Sequence, residues 1–305
     1  MRFLPEGFNF GDISKFSETD LRNAWRDKTI LESRAIMCDI EHNLHVDLGC
    51  MKGVIPRDLG ALGIAEGKVR DIALISRVNK VVCFTVDGFD EDVSGAPIAI
   101  LSRREAQEIC RDEFIINLLC GDVISARITH LEKFGAFCDI GCGIIALMPI
   151  DAISVSRISH PGDRFSVGDK ISAVIKNIDE NGRITLSLKE LLGTWQENAD
   201  LFCQGQTVRG IVRSVEHYGI FVELSPNLAG LAEPVDGIFV GQEVSVYIKN
   251  LISEKMKVKL VIIDAFEKAQ RCENPLKYFV DDERIEHWQY SPTESTNKII
   301  ETVFG

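Results

Sequence analysis

Phe134 and Phe137 bracket Gly135-Ala136, and two rings three residues apart on a strand offer a stacking surface rather than a catalytic centre. Alternate residues of an extended strand share a face, so Ala136, Cys138 and Ile140 form an apolar inner set and Phe137 takes the parity of Asp139. A ring that shares a face with a carboxylate suits a solvent-facing platform for nucleobases. Stacking there is worth roughly 1–3 kcal/mol per base and tolerates any base. Arg127, Lys133 and Arg183 are the nearby cations that phosphates would meet. The competing reading makes both rings ordinary core, and the residues alone leave the two open.

Other chemistries find less support. The chain contains no GxxxxGK[ST] phosphate loop, no GxSxG elbow and no HExxH pair, which predicts a protein without enzymatic activity, cofactor or small-molecule substrate. Cys138 and Cys142 flank a glycine turn and His42 and His45 sit three apart, but neither pair has the complement a four-donor metal site needs. Cys138 reads instead as a small core residue. The nine cysteines are scattered, with no Cys-x-x-Cys, which suits reduced thiols and predicts a cytoplasmic location. No apolar run approaches the roughly 18 residues of a membrane span, and Met1-Arg2-Phe3-Leu4-Pro5-Glu6-Gly7 lacks the apolar core of a secretory signal.

The elements that would position these residues repeat along the 305-residue chain. Gly121-Asp122-Val123-Ile124, Phe134-Gly135-Ala136-Phe137 and Val167-Gly168-Asp169 return in order as Gly205-Gln206-Thr207-Val208, Tyr218-Gly219-Ile220-Phe221 and Val240-Gly241-Gln242. The first two blocks are displaced by 84 residues. A weaker upstream copy pairs Val46-Asp47-Leu48-Gly49 and Gly53-Val54-Ile55-Pro56 with Cys138-Asp139-Ile140-Gly141 and Ala146-Leu147-Met148-Pro149. Each copy holds about five short β-branched runs punctuated by Gly and Asp, which suits a small closed barrel without exposed sheet edges. Ser102-x-x-Glu105 and Ser187-x-x-Glu190 are capping boxes placed directly after the last strand of a copy, and Asp264-x-x-Glu267 is of related character. Helices are therefore expected from Arg103 to about Leu119 and from Glu190 to Asp200.

Phe134-Gly135-Ala136-Phe137-Cys138-Asp139-Ile140, Val167-Gly168-Asp169-Lys170 and Ile178-Asp179-Glu180-Asn181-Gly182-Arg183-Ile184-Thr185-Leu186-Ser187-Leu188-Lys189 resemble the RNA-binding domain named after ribosomal protein S-one. The likeness runs through the whole middle copy and into Thr194-Trp195-Gln196-Glu197-Asn198-Ala199, which resembles the linker between successive domains of that protein. It implies a mainly β chain of three tandem five-stranded oligonucleotide-binding (OB-fold) barrels joined by short helical linkers. The expected divisions are an N-terminal segment 1–26, a divergent barrel 27–102, a linker helix 103–119, an RNA-binding barrel 120–189, a second linker helix 190–203, a barrel with a shortened loop 204–264, and a C-terminal helix with an aromatic tail 265–305. By the same resemblance Phe134, Phe137, Asp179 and Arg183 meet single-stranded RNA, and in the third barrel Tyr218, Phe221 and Lys257 do so. The family histidine falls near Pro149 in the middle barrel and at Glu233 in the third. In the first barrel His42 and His45 replace the aromatics and Pro56 the histidine, while Lys80 matches Arg183. RNA binding is thus expected to be strongest in the middle barrel, weaker in the third and weakest in the first.

The chain carries 34 Lys+Arg against 46 Asp+Glu, a net −12 that argues on its face against nucleic acid. The acid is unevenly placed: residues 121–190 and 204–264 carry only −1 each, and more than half of the excess lies in linkers and tail. Phosphate neutralisation depends on local cations, so the distribution limits affinity without excluding RNA. The tail segments Leu276-Lys277-Tyr278-Phe279, His287-Trp288-Gln289-Tyr290 and Ile299-Ile300-Glu301-Thr302-Val303-Phe304 are too apolar for a disordered end. They either pack on the third barrel or dock a protein. Phe16 and Trp25 suggest an amphipathic segment near the start. The expected function is non-enzymatic binding of single-stranded RNA, messenger RNA foremost, in translation on the small ribosomal subunit, without a membrane partner. The alternative is a protein-interaction adaptor on the ribosome or RNA-degradation machinery.

Overall fold

The computed structural model describes residues 3–8, 16–266, 276–295 and 299–304. Three closed barrels follow one another, each of five strands in the order 1-2-3-5-4. The first is β1 (Leu31–Cys38), β2 (Leu44–Asp47), β3 (Lys52–Ile55), β4 (Val81–Glu91) and β5 (Pro97–Ser102). The middle one is β6 (Val123–Glu132), β7 (Gly135–Gly141), β8 (Ile144–Pro149), β9 (Lys170–Ile178) and β10 (Ile184–Ser187). The third is β11 (Thr207–Glu216), β12 (Gly219–Ser225), β13 (Leu228–Ala232), β14 (Glu243–Ile252) and β15 (Lys257–Phe266). In every barrel the third and fifth strands run parallel, the pairing that closes a short sheet on itself. Alternation makes the cores: Ile124, Ala126 and Ile128 of β6 are buried, as are Val244, Val246 and Ile248 of β14.

Of the expected caps Ser102 opens a helix, whereas Ser187 does not: the 3-10 turn that follows it has Leu188 at its N-cap and no side-chain cap. α1 (Glu18–Asp27) opens on a capping box at Ser17, and Leu21 and Ala24 sink into the core of the first barrel with Phe16 against them. α2 (Ile72–Ile75) is a single turn between β3 and β4. α3 (Arg103–Glu113) starts where the Ser102 hydroxyl accepts the Glu105 N–H at 3.0 Å. The Glu105 carboxylate does not close the box; it accepts from the Thr85 hydroxyl at 2.6 Å and pairs with Lys28 at 2.9 Å. The helix expected over 190–200 is broken into a 3-10 turn, Lys189–Leu192, and α4 (Trp195–Ala199). Gly193 separates them at φ +82°, a conformation that ends the first turn. Glu267 of the third capping signal lies outside the described residues. The described tail forms a two-stranded sheet, β16 (His287–Gln289) and β17 (Glu301–Val303).

Two compact units result. The first gathers Met1–Leu118 with Ser125–Arg127 and Cys138–Ile145. At its polar heart the Glu6 carboxylate, 4% exposed, accepts from Arg103 at 2.6 and 3.0 Å, from Arg77 at 3.3 Å and from the Cys83 N–H at 3.1 Å. The Glu6 N–H donates to Asp139 at 2.8 Å, and Asp139 also accepts from the N–H groups of Gly141 and Gly143 at 2.9 and 3.0 Å. Burial, then the neighbouring Glu6 charge, raise the Asp139 carboxyl to about 7 against the pull of those N–H groups and of Arg103. A folded pKa above the unfolded one gives stability that is full at low pH and lost as pH rises through 7. Asp139 should therefore make the unfolding free energy fall by about 1 kcal/mol per pH unit between pH 5 and 7. Urea titrations of the unmodified chain and Asp139→Asn at several pH values test this. Parallel pH profiles for the two would refute the assignment.

The second unit gathers Leu119–Ile124, Ile128–Phe137 and Ala146–Gly305. The long connection after β8 starts on its own barrel, where the Ala152 carbonyl accepts the Leu188 N–H, and then reaches the third barrel. Arg164 within it grips Glu223 of β12 with both terminal nitrogens, at 2.7 and 2.6 Å, and Arg213 of β11 adds a third contact at 2.8 Å. Asn227 is fully buried in the β12–β13 turn; it accepts the Val155 N–H and donates to the carbonyls of Lys189 and Gly193. The tail aromatics pack mainly on the middle barrel and its linker, not chiefly on the third barrel. Tyr278 accepts the Ser172 N–H, Phe279 N–H donates to Leu191, Ile285 N–H donates to Gly121, and Thr302 donates to the buried Glu190. Tyr290 reaches the third barrel, donating to the Asn227 carbonyl.

Candidate nucleic-acid interface

The turn between β6 and β7 must pass close to β8. A Cβ on Gly135 would fall 2.4 Å from the Met148 carbonyl oxygen, so glycine alone lets the strand enter here. The entry leaves Phe134 56% exposed and Phe137 half-buried, with centroids 6.0 Å apart and planes at 90°. The third barrel reproduces this arrangement. A Cβ on Gly219 would fall 2.7 Å from the Ala232 carbonyl, Tyr218 is 56% exposed, and its ring meets Phe221 at 6.2 Å and 88°. Ala136, Cys138, Ile220 and Val222 are fully buried behind the rings. The rings are therefore not core, which decides the question the residues left open. Asp139 is corrected: instead of sharing an exposed face with Phe137 it is 2% exposed and held by backbone N–H groups of the first unit.

Strand register extends each platform sideways. In the third barrel Phe221 pairs with Leu231, Leu231 with Lys259, and Lys259 with Asn250. In the middle barrel Leu147 pairs with Thr185 and Thr185 with Asn177. Lys133 and Arg183 are exposed on the middle barrel, with Lys176 half-buried; Lys249, Lys255, Lys257 and Lys259 are exposed on the third. None of these seven forms an ion pair among the described residues. Lys249, Lys255 and Lys259 of the third barrel escaped sequence reasoning, which carried over only Lys257, the match to Arg183. Alternation from Lys257 along β15 was the signal that could have found Lys259.

Asp179 and Arg183 come together, in unequal roles. The Asp179 carboxylate accepts the N–H groups of Asn181 and Arg183 at 2.9 and 2.8 Å, and its own N–H donates to the Arg183 carbonyl at 3.0 Å. It builds the turn, and the Arg183 side chain is left to solvent. The third barrel lacks the aspartate and closes the turn otherwise: Ser253–Lys255 forms a 3-10 turn and Met256 takes φ +49°. Arg127 is spent elsewhere, its guanidinium donating to the Glu6 carbonyl at 2.7 Å within the first unit. Two histidines that the sequence did not single out join the rings. His130 lies 6.2 Å from Phe137 and 2.8 Å from Glu132, and His217 meets Tyr218 edge-on at 5.0 Å. In the first barrel His45 binds Asp39 at 3.1 Å and His42 sits in a turn at φ +66°, so neither forms a ring pair.

The two faces thus offer paired rings for stacking, unpaired cations for phosphates, and no set of groups arranged for bond-making. Comparison with known proteins points the same way. The S1 RNA binding domain matches residues 120–189. Small ribosomal subunit protein bS1 of Leuconostoc lactis is 29% identical over 273 residues, covering 83% of this chain and 61% of that one. The protein of the same description in Streptococcus pneumoniae is 32% identical over 180 residues, covering 53% of this chain and 45% of that one. The chain spans about three fifths of the length of the first of these relatives. A multidomain protein with nucleic acid binding domains from Streptococcus pneumoniae covers 77% of this chain and 73% of its own, at 14% identity and a TM-score of 0.26, too low to add to the argument.

Proposed function

We propose that the chain, whose residues 120–189 match the S1 RNA binding domain, holds single-stranded RNA on the ring pairs of its middle and third barrels. The small ribosomal subunit is the setting that the relatives favour; messenger RNA is the ligand proposed there, with a cytoplasmic location and no chemistry performed on the RNA. The observation that carries the reading is the recurrence of one ring geometry, 6.0 Å and 90° against 6.2 Å and 88°, on two barrels whose cations are unpaired. Stacking without base-edge readout gives binding of little sequence preference. The four lysines of the third barrel argue that it shares the work rather than trailing the middle one. The first barrel has no ring pair at its β1–β2 turn, its edge-to-face pair being Trp25 against Phe89 of β4 at 5.8 Å, and the tail aromatics are consumed inside their own unit. The adaptor reading therefore narrows to the first barrel as a surface for protein.

Salt provides the test. Each phosphate contact to a single strand contributes a slope of about −0.7 to the logarithm of affinity against the logarithm of salt. Fluorescence anisotropy with a labelled unstructured RNA should give a slope between about −2 and −5, set by the seven cations named above. Lys257→Ala with Lys259→Ala should reduce its magnitude by about 1.4. A slope near zero, or one indifferent to the double replacement, would rule out phosphate binding on this face.

A further inference from the structure

The RNA reading uses none of the cysteines, yet three of them are packed together in the first unit. Cys83 of β4, Cys110 of α3 and Cys142 of the β7–β8 turn are buried in one cluster with Ala106, ringed by Phe3, Ile30, Phe114, Ile115 and Ile144. The turn is built to deliver Cys142. That residue adopts φ +47°, a left-handed conformation that costs a non-glycine residue roughly 1 kcal/mol, between Gly141 and Gly143. Its N–H donates to the Leu4 carbonyl at 3.1 Å and its carbonyl accepts from Gln107 at 3.2 Å, one helical turn before Cys110. The Cys110 sulfur lies against the same turn, 2.9 Å from where a Cβ on Gly141 would stand.

The three thiols are chemically unequal. Those of Cys110 and Cys83 direct hydrogen bonds to Cys142, which together with the Arg103 guanidinium draw its thiol down to about 5 although burial and Glu6 oppose this. The same contacts and burial push Cys83 and Cys110 up. A thiolate is the nucleophile in sulfur chemistry, and one beside protonated thiols has its leaving-group donors at hand. Cys83 has a second acceptor within reach of its one proton: the Glu32 carboxylate stands 3.2 Å from its sulfur and takes that bond in place of Cys142. Burial lifts the Glu32 carboxyl above the usual carboxylate range, so it is better able to accept that proton.

We propose that these residues form a peroxide-reactive site, with Cys142 attacking a hydroperoxide and Cys83 resolving the product to a disulfide. The Cys142 thiolate attacks the terminal oxygen of the hydroperoxide and displaces alkoxide (hydroxide, for hydrogen peroxide), becoming a sulfenic acid; the oxyanion takes the Cys110 proton and leaves as alcohol or water, and Cys110 is reprotonated from solvent. Cys83 passes its proton to Glu32 and attacks the Cys142 sulfur. The S–O bond breaks, and hydroxide leaves as water with the Glu32 proton. Two thiols are oxidised by two electrons in total, and the peroxide O–O bond accepts them. Cys110 is the alternative resolving thiol. The oxidant enters when segment 3–8 opens, which breaks the Glu6 contacts to Arg103, Arg77 and the Cys83 N–H and so makes opening rather than chemistry the slow step. Phe3 holds the segment by stacking on Phe114 at 5.9 Å.

The exposed Cys50 and Cys203 are internal controls. The full chain is treated with hydrogen peroxide under native conditions, quenched at intervals, alkylated and mapped by mass spectrometry. Cys142 should be consumed at least about tenfold faster than Cys50 or Cys203, with a loss of about 2 Da and a Cys83–Cys142 linked peptide. Glu32→Gln should slow the link while leaving dimedone trapping of the sulfenic acid intact. Cys83→Ser should divert the link to Cys110. If Cys50 and Cys203 react first while the cluster stays unmodified, or if the cluster reacts only in urea, the proposal fails. Cys110→Ser retains the proposed pair and keeps the test decisive should Cys142→Ser not fold. RNA affinity is not the readout, so failure here leaves the RNA reading standing.

Discussion

A chain carrying Phe137→Ala and Phe221→Ala together should bind unstructured RNA between about thirty-fold and ten-thousand-fold more weakly than the unmodified chain. Each ring is the half-buried member of its pair. Loss of one stacked base costs roughly 1–3 kcal/mol, so two cost roughly 2–6, and each 1.4 kcal/mol is a factor of ten. Either replacement alone should fall near the square root of the double effect, because the barrels stack on separate bases. Half-burial means that each alanine also loosens its barrel, so the unfolding midpoint must be measured beside the affinity. Phe137→Trp and Phe221→Tyr separate the two effects, since a different ring restores stacking. Phe134→Ala and Tyr218→Ala touch residues already 56% exposed, and should weaken binding with little change in stability. Undiminished affinity in the double variant, with both barrels folded, would remove RNA from these faces.

Arg103→Met should destabilise the first unit by about 3–5 kcal/mol, the usual result of stripping one partner from a buried ion pair. Glu6 and Arg103 are each 4% exposed, so water cannot replace the missing charge. Arg103 also donates to the Gly60 carbonyl at 3.2 Å, and Arg77 leaves Glu6 only one long contact at 3.3 Å. Glu6→Leu should cost a similar amount, whereas Glu6→Leu with Arg103→Met should recover much of it, because no charge then remains to be desolvated. Chemical denaturation of the four chains forms a double-mutant cycle. Additive losses would mean that the two side chains act independently and that the pair is incidental. An effect below about 1 kcal/mol would mean that the segment around Glu6 is not held by this contact.

The barrels were legible because their information is local and repeated. An 84-residue displacement of Phe134-Gly135-Ala136-Phe137 onto Tyr218-Gly219-Ile220-Phe221 needs no knowledge of distant contacts, and the Ser102 and Ser187 motifs mark strand ends within four residues. The ring faces followed from strand parity. Parity failed at Asp139, where Glu6, 133 residues away, supplies the N–H that draws the carboxylate inward. Arg127 was lost as an RNA contact for the same reason, its partner carbonyl being 121 residues distant. Lys249, Lys255, Lys259 and His130 were missed because they lie outside the residues the family likeness assigns. The tail was read as apolar but given to the wrong barrel chiefly because Tyr278 and Ile285 meet partners more than 100 residues upstream.

Asn227 is one side chain with no solvent exposure, and it ties the loop at Val155, the linker at Lys189 and Gly193, and the hairpin of the third barrel. Segments bound at a single buried amide do not swivel independently, so the two ring faces of this unit stand at a set separation. Their strand is then measured as well as held. RNAs too short to reach from one face to the other can occupy only one, and affinity as a function of length should rise in a step rather than a slope. Asn227→Ala would blur that step by freeing the faces to approach shorter strands, turning a gauge into a pair of loose grips.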